Sequence, residues 1–188
     1  MNINPNGTTG LIIMAHGSPK SEDEFEDFLT SIRRGRRPEE DLIAEVKRRY
    51  KLIGGLSPLI ANTQNFFKSL ERSISEATDL NGSGNKVILK LGYKHVEPRI
   101  SSAVKSLVDE NVYRIFGLIA STYYSKVNIE DYNTSVLKAL EEISRNDIVY
   151  KSLPALSSIC ALTELFSKRL RFALDKYPNA MVIFSAHS

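Results

Sequence analysis

Cys160 is the only cysteine in this 188-residue chain. That excludes an intrachain disulfide and any zinc or iron–sulfur site built on cysteines. Tryptophan is absent, and histidine is scarce, at three. No apolar run approaches the ~20 residues that cross a bilayer, and residues 1–9 lack the basic-then-apolar pattern of a secretory signal. These absences predict a cytoplasmic protein with no transmembrane segment. Neither sign of charge dominates: the formal net charge is +3, too mild for general nucleic-acid binding. The phosphate-cradling patterns G-x-G-x-x-G and G-K-[ST] are missing, and so is the serine-hydrolase elbow G-x-S-x-G.

Apolar residues make up 42% and charged residues 25%, an ordinary balance for a chain long enough to bury a real core. The basic excess is local, in Arg33-Arg34-Gly35-Arg36-Arg37 and Lys47-Arg48-Arg49. The first cluster has no interleaved aromatic platform of the kind single-strand binders use. A solvated helix end is the plain reading of it. Carboxylate recognition by guanidinium forks is the functional one.

Apolar periodicity predicts strands at 11–15, 86–91, 114–120, 147–153 and 180–186. Helices are expected at 22–32, 39–50, 57–77, 98–109, 128–144 and 158–176. Alternation of this kind implies βαβ units and parallel sheets, hence an α/β fold. Asn81-Gly82-Ser83-Gly84-Asn85 is the clearest linker, which suggests domains at 1–84 and 85–188. The last strand would normally feed a covering helix, so a fragment, or a second polypeptide completing the fold, is expected.

Each histidine follows an apolar run: His16 after 11–15, His95 after 87–91, and His187 after 181–186. Ligands of open α/β sheets bind at the carboxyl ends of strands, so these positions suit site chemistry. A loop histidine bonding a nearby carbonyl is the plainer alternative. In Ile53-Gly54-Gly55-Leu56-Ser57-Pro58-Leu59, Ser57 reads as a helix N-cap or as part of an anion-holding nest. Gly92-Tyr93-Lys94-His95-Val96-Glu97-Pro98 puts a cation, an imidazole and a carboxylate on one strand exit.

Taken together these segments resemble the ferrochelatase family, above all members that insert iron into coproporphyrin. The resemblance is carried by Ala15-His16-Gly17-Ser18-Pro19, Ile32-Arg33-Arg34-Gly35-Arg36-Arg37-Pro38, Arg49-Tyr50 through Leu59, Gly92 through Pro98, Ser121-Thr122-Tyr123 with Tyr132-Asn133, and Phe184-Ser185-Ala186-His187-Ser188. It runs collinearly over the whole chain, as the N-terminal ~60% of a typical member. The resemblance implies two Rossmann-like, chelatase-type lobes with parallel sheets flanked by helices, the second incomplete here.

It also implies residue roles. His187 matches the histidine on the metal and proton-transfer side, giving it the catalytic role, and a neutral imidazole can ligate Fe²⁺ or accept a pyrrole proton. His16 stands where coproporphyrin enzymes carry a tyrosine that approaches the metal from the opposite face, so it is expected at both metal and ring. Arg33, Arg49, Tyr50, Ser57 and Tyr132 match porphyrin-contacting positions. Lys94 and His95 match a surface pair where an outer metal ion sits. Fe²⁺ is then a substrate, and the porphyrin partner is coproporphyrin III, with protoporphyrin IX second. The family's metal-side glutamate lies beyond the matched part, so a complementary C-terminal chelatase fragment is an expected partner. Alternatives are a chelatase for sirohydrochlorin or another tetrapyrrole, using iron, cobalt or nickel, and a non-catalytic tetrapyrrole- or haem-binding module. Imidazole ligands alone do not choose among these metals.

Overall fold

A computed structural model describes residues 7–81 and 86–185. Four strands, β1 (Thr9–Ala15), β2 (Val87–Tyr93), β3 (Arg114–Ile119) and β4 (Val149–Ser152), form one sheet in the order β2-β1-β3-β4. All three pairings are parallel. The helices are α1 (Phe25–Ile32), α2 (Glu40–Leu52), α3 (Leu59–Asn81), α4 (Ile100–Asp109), α5 (Lys126–Glu142) and α6 (Cys160–Lys176).

β1 is central and buried along its whole length, which explains its unbroken apolar run. Side chains alternate across a strand, and the two sets meet different helices. Ile12 and Met14 join the cluster with Ile100, Val104 and Leu107 of α4 and Val136 and Leu140 of α5. Leu11 and Ile13 face the opposite layer, with Phe66, Phe67, Leu70 and Ile74 of α3. A third cluster of Ala15, Phe28, Leu29, Tyr93 and Val96 closes the carboxyl edge, with Ile43 and Val46 of α2 against it.

The expected division at 84/85 runs through this sheet. β1, from the first segment, pairs on both sides with β2 and β3 from the second. Parallel neighbours need a long crossover between them, so the strands before and after the linker share one sheet. The first four expected strands all form, whereas the expected strand at 180–186 does not within the described residues: 180–185 carry no regular structure. Met181, Ile183 and Phe184 are 86%, 80% and 86% exposed. A strand is held by a neighbour's ladder, and no described strand pairs with this segment. α6 likewise has no buried residue. No described helix is long and apolar enough to cross a membrane.

Candidate active site

The order β2-β1-β3 places the exits of the central strands side by side. β1 and β2 run in register to Ala15 opposite Tyr93, and the pairing continues past the strands. Lys94 N donates to the Ala15 carbonyl at 2.8 Å and His95 N to the His16 carbonyl at 3.1 Å. Two histidines 79 positions apart in the sequence therefore become neighbours, with ring centroids 4.6 Å apart. Phe28 of α1 packs edge-on to both, at 5.9 Å and 6.2 Å.

Gly17 makes the turn after His16. Its φ is +85°, and a Cβ there would lie 2.6 Å from Val96 Cγ2, so only glycine fits between the two loops. His16 itself is exposed. Its Nδ1 lies 3.0 Å from the Gly17 carbonyl oxygen. A carbonyl only accepts, so Nδ1 carries a proton, which in the neutral imidazole leaves the lone pair on Nε2.

His95 is half-buried, with Nδ1 2.9 Å from Ser31 Oγ. Burial, then the neighbouring His16, Lys94 and Arg99, push its pKa down to about 4, against a weaker pull from Asp131. Unfolded, a histidine takes up its proton near ~6.5; folded, His95 holds out to about 4. Protons thus bind the unfolded chain first as pH falls, and the contribution of His95 to stability is complete above ~6.5 and drains away toward pH 4. Urea midpoints measured at pH 7.5 and 5 are expected to separate in the native sequence and to converge in His95→Gln. Equal separation in both would remove His95 as the cause.

The other expected residues divide into groups. Lys94 Nζ donates to Asp131 Oδ2 of α5 at 2.9 Å, and that bond, with Lys94's charge, holds the Asp131 carboxyl below the usual range. Lys94 also sits over the Tyr132 ring at 5.2 Å. Tyr132 is only 6% exposed and belongs to the main cluster, and burial pushes its phenol up to about 12. It supports Lys94 from below, with little of its own surface exposed. Tyr50 stands edge-on to Phe25 at 4.9 Å, with its hydroxyl 3.3 Å from Ser18 Oγ. Ser57 Oγ accepts the Leu59 N–H at 3.2 Å, capping α3 while its own proton stays free to donate.

The arginines differ. Arg49 Nε donates to Glu45 Oε1 at 2.8 Å; hydrogen bonds from Arg48 and Arg49 hold that carboxyl near about 2. Arg33, at the end of α1, is exposed and makes no ion pair among the described residues. No group of three or more His, Cys, Asp or Glu among the described residues could hold a metal ion. At the expected outer site, Lys94 is paired with Asp131 and His95 Nδ1 is engaged by Ser31. His187 lies outside the described residues.

Sequence reasoning missed Ser31, Arg99 and Asp131, which organise the exits. Arg99, beside Pro98, and Asp131, beside the Tyr132-Asn133 motif, were within sight of it; Ser31 carried no signal, being one hydroxyl on an amphipathic helix.

Comparison with known proteins adds a lineage. The family model described as "Ferrochelatase" matches residues 8–188. Among curated relatives, the coproporphyrin III ferrochelatase of Geobacillus kaustophilus is 37% identical over 136 residues, 72% of this chain and 42% of that protein. The coproporphyrin III ferrochelatase of Geobacillus thermodenitrificans is 32% identical over 186 residues, 96% of this chain and 57% of that protein. That of Listeria monocytogenes is 33% identical over 186 residues, 95% and 58% respectively. The chain thus spans less than two thirds of the length of these relatives.

Proposed function

This chain belongs to the ferrochelatase family, and from that premise we propose that it supplies one wall of a tetrapyrrole cleft in an enzyme that inserts Fe²⁺ into a porphyrin in haem synthesis. Coproporphyrin III is the favoured ring and protoporphyrin IX the second, and the reaction belongs in the cytoplasm. The observation that carries the reading is His16: an exposed imidazole at the exit of the central strand, with Nδ1–H spent on Gly17 and Nε2 free. Such a nitrogen could offer its lone pair to the Fe²⁺ substrate.

Metal insertion releases two pyrrole N–H protons as Fe²⁺ enters, so a base must take them one at a time and pass each to water. His187 is assigned that part, on the strength of the Phe184-Ser185-Ala186-His187-Ser188 motif. The facing wall, with an acidic metal-side residue, would come from the region the longer relatives carry. A second lobe then begins near α6, whose bare surface suits later elements. The chelatase alternative acting on sirohydrochlorin draws on one observation, a histidine rather than tyrosine after β1. A ring panel separates the two: tighter binding of sirohydrochlorin than of coproporphyrin III would favour the alternative.

Propionate recognition falls to the arginines. Charge-assisted bonds contribute about 1.5–3 kcal/mol, but Arg49 must first leave Glu45, which cancels part of its gain. Arg33→Ala is therefore expected to weaken coproporphyrin III binding roughly tenfold or more, and Arg49→Ala by less. Absorbance titration of the Soret band measures both. Equal, negligible losses, or no porphyrin binding by the native sequence joined to the C-terminal region its relatives carry, would overturn the reading.

A further inference from the structure

Two side chains from separate parts of the chain meet at the loop that holds His95. Ser31 lies on α1 and Arg99 at the start of α4, and each touches the loop that holds His95. Arg99 Nη1 donates to Ser31 Oγ at 2.9 Å and to the Lys94 carbonyl at 2.9 Å, so both hydrogens of that nitrogen are placed. Glu97 holds the other end, accepting the Arg99 backbone N–H on Oε2 at 2.8 Å while Oε1 lies 3.6 Å from Arg99 Nε. The guanidinium is therefore a fixed donor.

Its fixity decides where protons sit further along. Guanidinium never accepts, so Ser31 Oγ is the acceptor in that bond. The hydroxyl has one proton left to give, and His95 Nδ1 lies 2.9 Å away. Were Nδ1 protonated, Arg99 and His95 would both donate to one oxygen, with the hydroxyl proton stranded beside them. The arrangement that satisfies every group runs one way: Arg99 to Ser31, Ser31 to His95 Nδ1.

We propose that Ser31 and Arg99 are positioning residues that fix His95 as the Nε2–H tautomer. The neighbouring His16 has the opposite assignment, with Nδ1–H on the Gly17 carbonyl and a lone pair on Nε2. The pair of imidazoles thus presents one donor and one acceptor instead of two metal ligands. His95 suits an oxygen or other acceptor atom of a bound ligand, and His16 suits a metal or a proton. What ligand meets them rests on the proposed function; the proton assignment rests on the hydrogen bonds alone.

The test reads the protons directly. With ¹⁵N-labelled histidine, long-range ¹H–¹⁵N correlation at pH 7.5 is expected to show His95 Nδ1 as the unprotonated nitrogen and Nε2 as the protonated one, and His16 reversed. In Ser31→Ala the two His95 nitrogen shifts move toward each other as the tautomers mix, while Ser31→Thr restores the native pattern. Arg99→Gln is the second variant, expected to give a partial collapse, with unchanged His16 signals reporting an intact fold. Zn²⁺ added to the native protein is expected to move His16 Nε2 and leave the His95 Nε2 proton in place. A protonated Nδ1 on His95, a Ser31→Ala spectrum identical to the native one, or loss of the His95 Nε2 proton to Zn²⁺ each overturns the proposal. Failure of porphyrin binding alone would leave the native tautomer pattern standing, so the two readings fail separately.

Discussion

Replacing His187 by alanine, in this chain joined to the C-terminal region its relatives carry, is expected to lower iron insertion into coproporphyrin III by about 10²–10⁴-fold, the usual contribution of a positioned acid or base. Porphyrin binding should change far less. The asymmetry follows from what the residue is assigned to do: under the proposed function the arginines hold the ring, whereas proton acceptance is needed only once metal approaches the pyrrole nitrogens. Imidazole suits the task because its ordinary pKa near ~6.5 leaves it mostly neutral at pH 7 yet basic enough to accept a proton. Steady-state turnover and Soret titration on the same variant separate the two effects. A variant that binds and turns over like the native protein would place the chemical step elsewhere.

The second large effect concerns stability. Gly92 lies opposite Met14 in the β1–β2 register, where α4 crosses closely. A Cβ at this position would sit 2.8 Å from Ile100 Cα, 3.3 Å from Ile100 N and 3.2 Å from the Ala103 Cβ. The backbone atoms of Ile100 cannot rotate away, so α4 must shift as a unit. Overpacking of this kind costs about 1–3 kcal/mol, at the upper end where the obstacle is backbone. Against it stands a gain of about 0.4–1 kcal/mol from a stiffer unfolded chain. Gly92→Ala is expected to lose about 2 kcal/mol net, or roughly 4–8 °C in Tm for a chain of this size. Arg99 immediately precedes α4, so the same shift should also disturb its bond to Ser31. A Tm within 1 °C of the native value, on the order of measurement scatter, would mean that the strand and helix are less tightly apposed than described.

Much of this architecture is legible without coordinates because its cause is local. The run Leu11-Ile12-Ile13-Met14-Ala15 is apolar at every position, since β1 is covered on both faces. Phe66, Phe67, Leu70 and Ile74 recur at helical spacing and do meet the sheet on one face of α3. The strand exits carry His16 and His95, as sequence periodicity alone indicates. The chelatase lineage is likewise written in short motifs that survive without any knowledge of packing.

Strand order is different in kind. That β1 pairs with both β2 and β3 depends on crossovers and on which faces the helices cover, which no window of sequence contains. A Gly- and Ser-rich linker therefore looks like a domain boundary although the strands before and after it pair in one sheet. The same limit hid the proton chain at His95, whose partners Ser31 and Arg99 lie 68 positions apart, and the burial of Tyr132 beneath Lys94. Periodicity tells each residue which face of its own element it occupies; only the folded sheet, by bringing distant exits into hydrogen-bonding range, determines which of them share a proton.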